Sequence, residues 1–125
     1  MNEKESNLAF LGRYSCPVEA TVDVIGGKWK SVIVYHLLNG TKRFNELKRL
    51  NKGITQRMLT LQLRELEASG IVHREIYRQI PPKVEYSLTE FGRSLEPLIL
   101  FMRNWGLENM EKVLENREKH ETNQS

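Results

Sequence analysis

KGITQRMLTLQLRELEASGIV, residues 52–72, is the stretch on which the fold turns. With about 3.6 residues per turn, Leu59, Leu63 and Leu66 fall on one side of a helix, and Ile54 precedes them. That side predicts a core face. Thr55 is placed as an N-cap, its hydroxyl able to accept from a free amide of the first turn, and Ser69-Gly70 marks the other end. The opposite side carries Gln56, Arg57, Thr60, Leu61 and Arg64. Arginine bonds guanine in two places, glutamine does the same with adenine, and threonine or leucine meets a thymine methyl, so this face suits base edges. A solvated surface of a packing helix has similar composition, so the helix alone leaves both readings open.

The flanking sequence narrows the choice. TKRFNELKRLN, residues 41–51, predicts a short extended piece and then a helix with Phe44, Leu47 and Leu50 on its buried side. The NKG that follows is a tight turn, so two helices joined by a short glycine-containing connection form a helix-turn-helix. After it, GIVHREIYRQIPPKVEYSLT predicts a β-hairpin with strands at 71–78 and 83–88 around a QIPP tip. Helix, turn, helix and basic hairpin make a winged helix. Arg78 and Lys83 on the wing are expected to lie along phosphates beside the groove.

Upstream, Pro17 suits the first turn of a helix that places Val18, Val22 and Ile25 on one face and stops at Gly26-Gly27. KWKSVIVYHLLNG is more apolar and predicts the central helix, in which His36 reads as a packed residue. Downstream, Thr89 caps a further helix, and a break is expected between Gly92 and Pro97. Beyond it, Leu98, Met102 and Trp105 form one apolar set, and Met110, Val113 and Leu114 a second. So much apolar helix exceeds what one small winged helix needs, and a second copy is the expected cover. The expected fold is mainly α with a small β-hairpin (α+β): a flexible or partner-docked arm over 1–15, a DNA-binding domain over 16–93, dimerising helices over 94–119 and a frayed tail over 120–125.

Composition agrees with a binder of polyanions. The chain has 125 residues and a net charge of +3. The charge is unevenly spread, with eleven Lys/Arg against six Asp/Glu in residues 41–93 and four against six in residues 94–125. No apolar run approaches the roughly 20 residues of a membrane span, and MNEKESNLAF lacks the features of a secretory signal, so a cytoplasmic protein is expected. One cysteine and three histidines give no recognisable zinc site. No cofactor is expected. Nor does any nucleophile–base arrangement or glycine-rich phosphate loop point to an enzyme. The rival class is a winged-helix module for protein contacts without DNA. An RNA reader fits less well, because the strands lack paired stacking aromatics.

CPVEATVDVIGGKWK, RFNELKR, GITQRMLTLQLRELEASGIV, VEYSLTEFGRSL and the closing WG occur in an order and spacing that resemble the HxlR-type winged-helix transcriptional regulators, relatives of the MarR group. The resemblance covers about ninety residues, Cys16 to Gly106. It implies a homodimer on a pseudo-palindromic operator, with one recognition helix and one wing per subunit and dimer contacts from the terminal helices. Several members resemble sensors of oxidants or electrophiles through a cysteine just before the first helix, the place of Cys16. A helix N-terminus favours thiolate, the reactive form. A purely structural role for Cys16 stays open. Some members close an intersubunit bridge with a second cysteine, which this chain lacks. Cys16 would have to pair with its symmetry mate or with a small thiol.

Overall fold

The computed structural model describes residues 12–124. Its elements are α1 (Pro17–Ile25), α2 (Lys30–Leu37), β1 (Lys42–Arg43), α3 (Phe44–Leu50), α4 (Gln56–Ala68), β2 (Val72–Tyr77), β3 (Lys83–Leu88), α5 (Glu90–Arg93) and α6 (Glu96–Gln124). The strands form an antiparallel sheet in the order β1-β3-β2. The expected hairpin therefore gains a third strand, because Lys42 and Arg43 pair with Tyr86 and Glu85. This is the winged-helix architecture.

The core is built around α2. Ile33, Val34 and Leu37 are buried against Leu47 of α3, Leu59, Leu63 and Leu66 of α4, and Ile71, Val72, Tyr86 and Leu88 of the sheet. The leucine spacing of α4 thus lies where the helical period put it, and burying these side chains is the main force fixing the helix on the body. An ion pair between Lys30 and Glu65 ties α2 to α4 at the edge of this core.

The turn between α3 and α4 is fixed from inside. Asn51 is buried, and its Nδ2 donates to the Leu47 carbonyl at 2.8 Å, closing the end of α3. Gly53 then takes a φ of +86°, a conformation that costs glycine little and other residues more. α4 starts at the expected cap, where Thr55 Oγ1 accepts from the Met58 amide at 3.0 Å.

The far end of α4 is fastened to the wing. Thr89, just after β3, donates its hydroxyl to the Gly70 carbonyl at 2.6 Å and its amide to the Ile71 carbonyl at 3.0 Å. The same hydroxyl accepts from the Gly92 amide at 2.8 Å and caps α5. Gly92 is required by close approach, since a Cβ there would lie 2.2 Å from the Ile71 carbonyl oxygen. The wing and α4 consequently share one anchor.

Several expectations need correction. The break after Gly92 is present, but beyond it lies one helix over Glu96–Gln124 rather than several, so the frayed tail expected over 120–125 is helical through Gln124. The boundary at residue 94 also cuts too early. Ile99 is 2% exposed and belongs to the core with Leu95 packed against it, so the root of α6 is part of the winged helix. Leu50 faces water, as do Val18 and Val22 of α1, which leaves Ile25 as the buried residue of that helix. Most of the arm expected over 1–15 lies outside the described residues, and its last residues precede α1 without helical structure.

Candidate nucleic-acid interface

α4 divides sharply into two faces. Leu59, Leu63 and Leu66 are at most 1% exposed, whereas Gln56, Arg57, Leu61 and Arg64 are exposed and Thr60 is half-buried beside them. An open depression of about 850 Å³ along this face is lined by Thr55, Gln56, Arg57, Met58, Thr60, Leu61 and Arg64. Every lining residue comes from α4 and its cap. A surface supplied by one helix offers no walls to enclose a small molecule and suits a large rigid partner.

Local bonding assigns these side chains different capacities. Thr55 uses an oxygen lone pair on the Met58 amide, so its hydroxyl proton stays available to an acceptor in front of the helix. Thr60 spends its proton on the Gln56 carbonyl at 2.9 Å and presents a methyl group and a lone pair. Arg57 in the first turn joins none of the ion pairs among the described residues. Lys52, exposed in the preceding turn, adds a cation that the helical period alone did not select, because it lies outside the helix.

The wing treats its two expected cations unequally. Lys83 is paired with Glu85 at 3.6 Å, and its ammonium lies 4.9 Å from the centre of the Tyr77 ring. Tyr77 is directly opposite Lys83 in the register. Its phenol is hydrogen-bonded to the Glu85 carboxylate, which raises its pKa above the usual value for tyrosine. Arg78, exposed just past β2, joins none of the ion pairs or cation–ring contacts among the described residues. Strand alternation explains the difference: His73, Glu75 and Tyr77 share a face with Lys83 and Glu85, and that face carries two opposed carboxylates. On the other face Arg74 lies opposite Tyr86, which burial and then nearby charges perturb, with a net upward shift. Arg74 was not singled out from sequence, because Val72, Arg74 and Ile76 alternate as an ordinary half-buried strand would.

Cys16 is exposed and is the N-cap of α1, with extended backbone at φ −148° and ψ 138°. Its carbonyl accepts from the Glu19 amide at 2.9 Å. Glu19 adds a carboxylate to the same first turn, held by the Ser15 hydroxyl, a charge that the helix-end argument from sequence omitted.

The expected partner-facing residues are all exposed: Leu98 37%, Met102 41%, Trp105 55%, Met110 56%, Val113 38% and Leu114 62%. On one continuous helix they fall into two stripes. Leu98, Met102, Trp105 and Val113 share one side, while Met110 and Leu114 join Leu107 and Leu100 on another. Leu100, Phe101 and Leu107 are also exposed, and they fall outside the two apolar sets expected from sequence. Met102 also lines a cleft of about 290 Å³ between α2 and α6 with Ser31, Val32, Tyr35, Ile99 and Arg103. No helix among the described residues is long and apolar enough to cross a membrane.

A family model described as HxlR-like helix-turn-helix matches residues 24–114. The uncharacterized HTH-type transcriptional regulator YybR of Bacillus subtilis is 63% identical over 115 residues, covering 92% of this chain and 90% of that protein. Among solved structures, the redox regulator HypR in its reduced form superposes with a TM-score of 0.76 at 67% identity, covering 81% of this chain and 99% of that one. Its oxidized form gives a TM-score of 0.73 at 70% identity, with coverage of 75% and 97%.

Proposed function

This chain belongs to the HxlR-like helix-turn-helix family of transcriptional regulators, and from that premise we propose that it binds a pseudo-palindromic operator as a homodimer, with α4 in the major groove. The observation that carries this reading is the division of α4 into a buried leucine face and an exposed face of Gln56, Arg57, Thr60, Leu61 and Arg64. Gln56, Arg57 and Arg64 read base edges, while Thr60 and Leu61 meet apolar groups such as the thymine methyl. Thr55 donates to a phosphate. The protein works without a cofactor or catalysis, in the cytoplasm. Binding to mixed genomic DNA across a salt series tests the reading: counterion release predicts steep loss of affinity with salt, and a module for protein contacts alone would show no such binding.

The wing positions the complex through phosphates. Because Glu85 and Tyr77 already occupy Lys83, Arg78 is the stronger contact. Replacing Arg78 with Gln should weaken specific and nonspecific DNA alike and flatten the salt slope by about one unit. Lys83→Gln should flatten it less. A change of base preference at an unchanged slope in Arg78→Gln would contradict the phosphate role.

Cys16 couples the regulator to oxidants or electrophiles. Its exposure at the start of α1 supports this role, as does its place beside Val18 and Val22, which offer an apolar surface to a second subunit. Both HypR structures are of a redox regulator, in reduced and oxidized forms. An adduct here would shift the contact of α1 with its partner and misplace one recognition helix relative to the other. Alkylation with iodoacetamide should therefore lower operator affinity in the wild type and leave Cys16→Ser unchanged. Equal affinity before and after complete alkylation would reduce Cys16 to a packing residue.

A further inference from the structure

Ile80 at the tip of the wing is 101% exposed, further into solvent than Phe101 at 70% or any other large apolar residue described. Two exposed prolines, Pro81 and Pro82, follow it, and Arg78 and Gln79 precede it. From His73 outward β2 is exposed, as is the whole connection over residues 78–82, so the tip of the hairpin projects into solvent and holds this side chain there while β3 packs on the body. We propose that Ile80 is a wedge that enters the minor groove of the bound duplex and unstacks one base step on the flank of each half-site.

Three features support the assignment. The first is chemical: isoleucine and proline are among the side chains that proteins insert between base steps, and three such residues run consecutively at this tip. The second is electrostatic. Arg78 is unrestrained beside the tip, so a cation accompanies the apolar group toward the phosphates, whereas the acidic face of Glu75 and Glu85 lies back along the strands. The third is stiffness. Pro81 and Pro82 fix two φ angles and lack amide donors, so the tip has little conformational freedom to lose on binding and presents few polar groups to be desolvated. The anchoring of the wing to α4 through Thr89 sets the wedge at one distance from the recognition helix. Insertion consequently favours a pyrimidine–purine step at that fixed offset, because such steps unstack most easily.

The inference rests on the reading of α4 as a DNA-binding helix, and the experiment separates the two. A random duplex library is selected with full-length wild-type protein, and 2-aminopurine is then placed at successive positions flanking the recovered half-sites. Emission should rise at one step per half-site in the wild-type complex, the sign of an unstacked base. The rise should vanish in Ile80→Ala, with affinity lower by about tenfold and the salt slope unchanged. Ile80 is fully exposed, so the variant's thermal midpoint should equal that of the wild type. Arg78→Gln should behave in the opposite way, flattening the slope while keeping the emission. A wild-type complex that brightens at no position, or an Ile80→Ala complex that brightens as the wild type does, overturns the wedge while leaving DNA binding intact. A docking surface for another protein at this tip would produce that result. Failure of the wild type to select any duplex would overturn the reading of α4 and the wedge with it.

Discussion

A chain carrying Trp105→Glu and Leu107→Glu should sediment as a monomer at micromolar concentration and lose operator affinity by about 10²–10⁴-fold. The two residues lie on different stripes of α6 and are 55% and 61% exposed, so each charge faces water in the isolated subunit and costs little there. In a dimer both charges would be buried without partners, and that penalty favours dissociation. The large effect on DNA follows from linkage: a second half-site bound by the same particle is an intramolecular event, and a monomer forfeits its effective concentration. Deleting α6 from Leu98 would be a poorer test, because it removes Ile99 from the core and confuses unfolding with dissociation. Retention of the wild-type sedimentation coefficient by the double variant would place the subunit contacts elsewhere. Monomeric wild-type protein would refute the dimer.

The elements that local packing and capping dictate were legible in the sequence, and those that depend on longer-range pairing were less so. The period of Leu59, Leu63 and Leu66 located the buried side of α4, and Thr55 and Thr89 announced their helix starts, because cap chemistry is local. β1 was legible only as an extended piece, since two residues carry no period of their own and become a strand by pairing with β3. The continuity of α6 is not legible because its apolar residues spread around most of the axis, and so broad a pattern has little phase from which to judge continuity. Its length and its two stripes emerge only once Ile99 is seen to take the core-facing position. In the candidate site, position was legible and bonding was not. Alternation placed Lys83 on the wing and on the face of Glu85, but its contact with the Tyr77 ring depends on cross-strand register, and Arg78 is left as the freer cation.

Arg57→Ala is expected to cost roughly 1–3 kcal/mol at the preferred operator and to relax selection at one base pair in each half-site. Arg57 is the second residue of α4, and the first turn of a recognition helix is the part that reaches base edges. Arg64 lies about two turns further along, nearer the sheet, where its charge is felt by Tyr86. On the proposed reading, the guanidinium of Arg57 would make two parallel bonds to the N7 and O6 of guanine, a geometry that no other base offers in the major groove. Arg57→Lys provides the control, because lysine keeps the charge and loses the fork. It should restore the salt slope but not the base preference, whereas a phosphate contact would be restored in full. Since the side chain is exposed and outside the core, both variants should keep the wild-type thermal midpoint. Affinity and base preference unchanged in Arg57→Ala would remove this arginine from the reading set and shift direct readout to Gln56 and Arg64.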